Sequence, residues 1–145
     1  MVAYNFSEGF AHDLIKGLKC AALKPNGKRP HVEVGGDVHV FCGNLPPDFS
    51  KSPDCHRLIT APCTRSEPAC MTPDGLVIGG RLMVNPYWPL TMAQQEGFDS
   101  YADLNTHFHR VFGLPWEGRY IRWNPARASF CAEWPLVVKP PSEVA

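Results

Sequence analysis

The chain has 145 residues, 44% hydrophobic and 19% charged, and its 14 basic and 14 acidic residues give a formal net charge of zero. These figures suit one folded domain with one core. They exclude a disordered chain, and also a polycation that would hold nucleic acid or anionic membrane by bulk charge.

In chain order, "VAYNF" alternates and is aromatic-rich, so it predicts a first strand. Ser7 can cap a helix running to about Lys16, with Phe10, Leu14 and Ile15 as its apolar stripe and Gly17 as its left-handed stop. "LKCAAL" predicts a short strand or extended segment, "KPNGKRP" an exposed turn, and "GGD" a tight turn into a strand over Val38 to Cys42. "HRLITAPCT" predicts a strand interrupted at Pro62, and "GLVIGGRLMV" a strand pair or a bulged strand bent at Gly79 and Gly80. "VNPYWPL" reads as irregular.

The strongest helix is Tyr101 to Phe112, with Ser100 as its cap and Gly113 and Pro115 at its end. "GRYIRWN" alternates as a strand, and Phe130 to Val138 offers one more. With 15 prolines and 12 glycines cutting the chain into short pieces, the expectation is an α+β fold: six or seven short strands and two main helices around a curved sheet or barrel.

Positive charge is concentrated locally. From Lys16 to Arg29 there are five basic residues (Lys16, Lys19, Lys24, Lys28 and Arg29) and no acid, and a second run holds Arg119, Arg122 and Arg127. Solvated surface charge is the plain reading of such runs, and a local anion-binding patch is the functional one. "MVAYNFSEGF" lacks the basic start and apolar block of an export signal, and no apolar run is long enough to span a membrane, so a cytoplasmic protein without a membrane partner is expected. In that compartment the six cysteines are expected as free thiols.

Two separated segments resemble the ASCH-domain family. "LIKGLKCAALK" is similar to its signature of a helix ending in Gly-x-Lys-x-x-Thr-x-Arg: Gly17 and Lys19 match, Ala22 stands where threonine is expected, and Lys24 stands where arginine is expected. "LTMAQQEGFDSYADLNTHFHRVFG" followed by "GRYIRW" resembles the second half, where an acidic residue opens a helix that leads into an aromatic strand. The resemblance runs from about Tyr4 to Trp123. It implies a single PUA-like β-barrel domain over residues 1–145, with 125–145 as a C-terminal extension, as a monomer or weak homodimer. It also implies a cleft lined by the Gly-x-Lys segment that receives RNA or a nucleoside.

Small members of that family are amidohydrolases that deacetylate N4-acetylcytidine with a lysine, a threonine and a glutamate. The resemblance carries these roles to Lys19, Ala22 and Glu96. Alanine has no hydroxyl to serve as nucleophile, so the threonine-dependent route is closed to this chain. Glu96 has a plain reading too, as a first-turn acid favoured by a helix dipole.

Other family members are ribonucleases. RNA cleavage without metal needs a base, an acid and a cation, and Lys19, Lys24, Tyr120 and Arg122 could supply such groups; across the two chemistries the catalytic candidates are Lys19, Glu96 and Tyr120. Tyr120 is equally a core strand residue with its hydroxyl at the rim. The third chemistry is binding alone: Lys16, Lys24, Lys28, Arg29 and Arg122 would hold phosphates, and Tyr87, Trp88 and Trp123 would stack on bases. Binding needs no nucleophile, so alanine at position 22 favours it. A protein-interaction domain without catalysis is the remaining alternative.

No cofactor or metal is expected. Cys55, Cys63 and Cys70 with His56 lack a Cys-x-x-Cys pair, and His107 and His109 lie two apart on a helix, pointing to different sides.

Overall fold

The computed structural model describes residues 2–42, 57–83 and 87–130; of Glu8, Tyr87 and Trp88 only the backbone is described. Among the described residues, alternating apolar and polar residues form eight strands: β1 (Val2–Phe6), β2 (Ala21–Pro25), β3 (Asp37–Cys42), β4 (Arg57–Thr72), β5 (Gly75–Ile78), β6 (Arg81–Leu82), β7 (Trp116–Trp123) and β8 (Ser129–Phe130). Among the described residues three α-helices accompany them: α1 (Ala11–Lys16), α2 (Tyr87–Gln95) and α3 (Tyr101–Phe112). The fold is α+β with a mixed sheet, since β1 and β3 run parallel and the other registered pairs antiparallel.

Contacts divide the chain into two compact units. The first comprises Met1–Cys20, Val34–Cys63 and Trp123–Ala145; the second comprises Ala21–Glu33 and Thr64–Arg122.

In the first unit β1 lies beside β3 from Val2↔Val38 to Phe6↔Cys42. The start of β4 follows on the other side of β3, and β8 adds to it at Ile59↔Phe130. Alternation puts Tyr4 and Phe6, and Val38 and Val40, into the core with Leu14, Leu58 and Trp123. The Phe6 and Trp123 rings meet edge to face at 6.0 Å. A 3-10 turn over Glu8–Phe10 precedes α1, so Ser7 acts through its carbonyl, which accepts from the Phe10 N–H at 3.0 Å.

In the second unit β4 turns through Pro73 and Asp74 into β5, and β5 turns through Gly79 and Gly80 into β6. Both glycines have positive φ (59° and 79°), as a two-residue hairpin of this hand requires. β7 pairs with β2 and with β4. The core beneath them gathers Leu23, Met71, Leu76, Leu104, Phe108, Trp116 and Tyr120. Ser100 caps α3, its hydroxyl accepting from the Asp103 N–H at 3.1 Å, and Gly113 closes it at φ 79°. Among the described residues β2 and β6, the outer strands of this unit, are not paired with each other.

Three expectations are corrected. β4 runs unbroken through Pro62, because this proline sits at the end of the β3 ladder, opposite Asp37, where a missing N–H removes little. Its carbonyl still accepts from the Asn124 N–H at 3.0 Å. The irregular reading of "VNPYWPL" gives way to α2 from Tyr87 onward, which makes three helices instead of two. Pro89 falls in the first turn of α2, where backbone N–H groups have no helical acceptor. Leu18 to Cys20 are not strand, since β2 begins at Ala21. Most of the strand expected over Phe130 to Val138, together with Cys55 and His56, lies outside the described residues.

Gly118 is tightly enclosed in the second unit. A Cβ there would lie 2.3 Å from the Lys24 carbonyl oxygen and 2.5 Å from the Trp116 ring. Gly118→Ala is expected to lower unfolding stability by about 3 kcal/mol, at the upper end of overpacking costs, because a backbone atom cannot step aside. Gly27→Ala, with open space around it, is the control that should leave the urea midpoint near wild type.

Candidate functional site

Lys19 is placed by the end of α1. Gly17 takes φ 78°, and the N–H groups of Leu18 and Lys19 both turn back to the Asp13 carbonyl, at 2.9 and 3.1 Å. One residue on, the Cys20 carbonyl accepts from the Trp123 N–H at 3.0 Å. The lysine side chain is therefore turned inward, and it is 3% exposed, the one buried charged side chain among the described residues. Its ammonium lies 4.8 Å from the Phe10 ring centre and 5.4 Å from that of Phe6. Aromatic faces replace part of the hydration an ammonium loses on burial.

Glu96 belongs to the second unit and follows the last turn of α2. Its N–H bonds to the Met92 carbonyl at 3.1 Å, and Gly97, at φ 89°, then reverses the chain. The expectation of a first-turn acid is overturned: Glu96 ends α2, and α3 starts only at Tyr101. A carboxylate is disfavoured at a helix C-terminus. Here the cost is offset because Oε1 accepts from the Leu23 backbone N–H at 2.6 Å. The two segments singled out from the sequence thus meet, 73 residues apart in the chain, with Glu96 fastened to the residue next to Ala22.

The basic residues separate by position. Lys16 is exposed at the end of α1 in the first unit. Lys28 and Arg29 are exposed in the loop after β2. In the β2–β7 ladder Lys24 lies opposite Arg119, Leu23 opposite Tyr120, and Ala21 opposite Arg122. Alternation places Lys24 and Arg119 on one face, and Arg122 on the other with Tyr120. Tyr120 is buried in the core, with the Arg65 guanidinium 5.2 Å from its ring centre. Ala22 is 2% exposed. Trp123 is likewise buried, in the first unit, with its indole packed on Phe6. Tyr87 and Trp88 open α2, and their side chains lie outside the described residues.

Arg119 carries more of the site than its place in a basic run suggested. Its partner across the ladder is set by register, which the sequence does not spell out. The Arg119 guanidinium also reaches Glu33 at 3.4 Å. Next to it, His31 is held below the usual histidine range, first by burial and then by the Arg119 charge, with a hydrogen bond to the Pro25 carbonyl acting the other way.

An open groove of about 280 Å³ lies beside this ladder, lined by residues that include Pro68, Cys70, Val77, Glu117 and Gly118. None of the residues that line it is among those the sequence offers for a nucleoside cleft. Among the described residues no cluster of three or more metal-ligating side chains occurs, and no helix is long and apolar enough to cross a membrane. Comparison with known proteins finds no matching family model, no matching curated protein and no matching solved structure.

Two outcomes follow from these contacts. Glu96→Ala removes the acceptor of the Leu23 N–H and is expected to cost about 2 kcal/mol, while Glu96→Gln keeps a neutral acceptor and costs less; chemical denaturation orders the three proteins. The second concerns pH. His31 and His39 both titrate below their ordinary 6.5, His39 through burial and then the Arg57 charge, partly opposed by Asp37. The unfolded chain therefore binds more protons as pH falls below that value. The stability they contribute is full above about pH 6.5 and is lost on acidification through the lowered folded values. The urea midpoint should fall between neutral and mildly acid pH, and fall less in the double variant His31→Gln/His39→Gln.

Proposed function

We propose that the chain is a nucleoside- or RNA-binding domain of the ASCH type, a PUA-like barrel whose ligand lies along β2 and β7. The observation that carries this reading is the Glu96 hydrogen bond to Leu23. It joins the only two segments whose residues resemble that family, and it joins them beside the position where the family keeps its threonine. Lys19, at the family's lysine position, is buried against the Phe6 and Phe10 rings of the first unit.

The reading is binding in preference to hydrolysis. Ala22 offers no nucleophile, and one oxygen of Glu96 is already engaged by a backbone N–H. The second reading, hydrolysis of RNA or of an acylated nucleoside by Lys19, Glu96 and Tyr120, is favoured only by the inward-turned ammonium of Lys19.

Anisotropy titration of a labelled single-stranded RNA over a range of salt tests the proposal. About three phosphate contacts should give a log–log salt slope near −2, and Lys24→Ala should flatten it by roughly 0.7. No binding at low salt would remove the reading. Incubation with N4-acetylcytidine should yield no cytidine, from the chain itself or from Ala22→Thr, because nucleophile, base and acid must align to a fraction of an ångström. Turnover by the unmodified chain would put the hydrolytic reading first.

A further inference from the structure

We propose that Glu96 selects the base of the ligand: its carboxylate takes the two adjacent N–H donors on the Watson–Crick edge of guanine, so that guanine nucleotides bind in preference to those of the other bases. This rests on the nucleoside-binding reading above and names the substrate class of that same site.

The carboxylate is held at one corner and open at the other. Oε1 accepts from the Leu23 N–H at 2.6 Å. The Glu96 backbone is fixed too, since its own N–H donates to the carbonyls of Met92 and Ala93, both at 3.1 Å. The acid is therefore placed before any ligand arrives. A carboxylate has room for about four hydrogen bonds. Among the described residues the Leu23 bond is the one it makes, and the residue is half-buried, not enclosed.

The neighbouring stretch of β2 offers a ligand little else. Ala21, Ala22 and Leu23 are buried and apolar. Polar recognition beside Ala22 thus falls to Glu96.

The chemistry of the bases then decides. A carboxylate presents acceptors only. Guanine offers two donors side by side, its ring N1–H and its 2-amino group, which can meet both oxygens at once. Adenine and cytosine each offer one amino donor beside a ring-nitrogen acceptor, and uracil offers one N–H between two carbonyl oxygens. Each of those three sets an acceptor against the carboxylate. Hydrogen bonds to an ionised acceptor are the stronger kind, and a site built to receive donors rejects a ligand that lacks them.

The test measures binding of the 5′-monophosphates of guanosine, inosine, adenosine, cytidine and uridine to the full chain by calorimetry. All carry the same ribose and phosphate, so differences report the base. Guanosine monophosphate should bind at least about tenfold more tightly than the adenosine, cytidine and uridine nucleotides. Inosine monophosphate, which lacks the 2-amino group, should bind about tenfold more weakly than guanosine monophosphate. In an amide spectrum the Leu23 signal should move further with the guanosine nucleotide than with the uridine one, because Leu23 and the base share one carboxylate. In Glu96→Gln the side-chain oxygen keeps the Leu23 N–H and the amide turns a donor outward. The guanine preference should then disappear, while cytidine monophosphate, with acceptors at O2 and N3, binds at least as well as before. A purely structural role would weaken every nucleotide alike and leave the preference in place. The comparisons on the unmodified chain decide the matter should the variant not fold. Equal binding of the nucleotides would overturn the proposal and leave nucleoside binding standing. So would a guanine preference that survives Glu96→Gln, or one that leaves the Leu23 amide unmoved. Absence of binding by all of them would remove the nucleoside reading and this proposal with it.

Discussion

The hydrogen bond from the Leu23 N–H to Glu96 is the constraint on which the second unit turns. β2 is short, three of its five residues are buried, and β7 is the strand it pairs with. A strand with one covered edge leaves amides on the other edge that need acceptors, and a buried amide without one costs about 1–3 kcal/mol. The Glu96 carboxylate supplies that acceptor. It does so from a helix C-terminus, where a negative charge is disfavoured by about 0.3–1 kcal/mol, so the charge-assisted bond is the larger effect. The end of α2 is thereby tied to β2, while Met92 and Ala93 of the same helix enter the core beside Leu23.

Fixing β2 also fixes what it displays. Its register with β7 sets Lys24 against Arg119 and leaves Ala22 buried against Ile121. The ladder then has one face that builds the core through Leu23 and Tyr120, and one that carries Lys24 and Arg119 beside the buried pair Ala22 and Ile121. Gly118 lets the two strands approach at the end of the ladder, where any side chain would strike the Lys24 carbonyl.

Much of the fold was legible because its signals are local. Ser100, Gly113 and the apolar stripe of α3 are encoded within about a dozen residues, and that helix has the bounds its periodicity predicts. Gly17 ends α1, and Gly79 and Gly80 turn the β5–β6 hairpin, for the same reason. What was not legible depends on distant partners. Pro62 reads as a break until the end of the β3 ladder is known, and Pro89 reads as a loop residue until it is seen in the first turn of α2. Of the site, the inward turn of Lys19 followed from no periodicity, since it comes from the Gly17 reversal and the two phenylalanine rings. Glu96 was picked out by resemblance, and its plain reading as a first-turn acid fails because it follows α2 and stands ahead of α3. Arg119 meets Glu33 and His31 only where the loop after β2 returns to β7.

The most direct measurement of the ligand-binding account is a backbone amide spectrum recorded while a short single-stranded RNA is added at low salt. The account predicts shifts concentrated at Lys24 and at Arg119 to Ile121, with the Leu23 amide, fastened to Glu96, following them. Shifts confined to α3, or a spectrum unchanged at RNA excess, would contradict it.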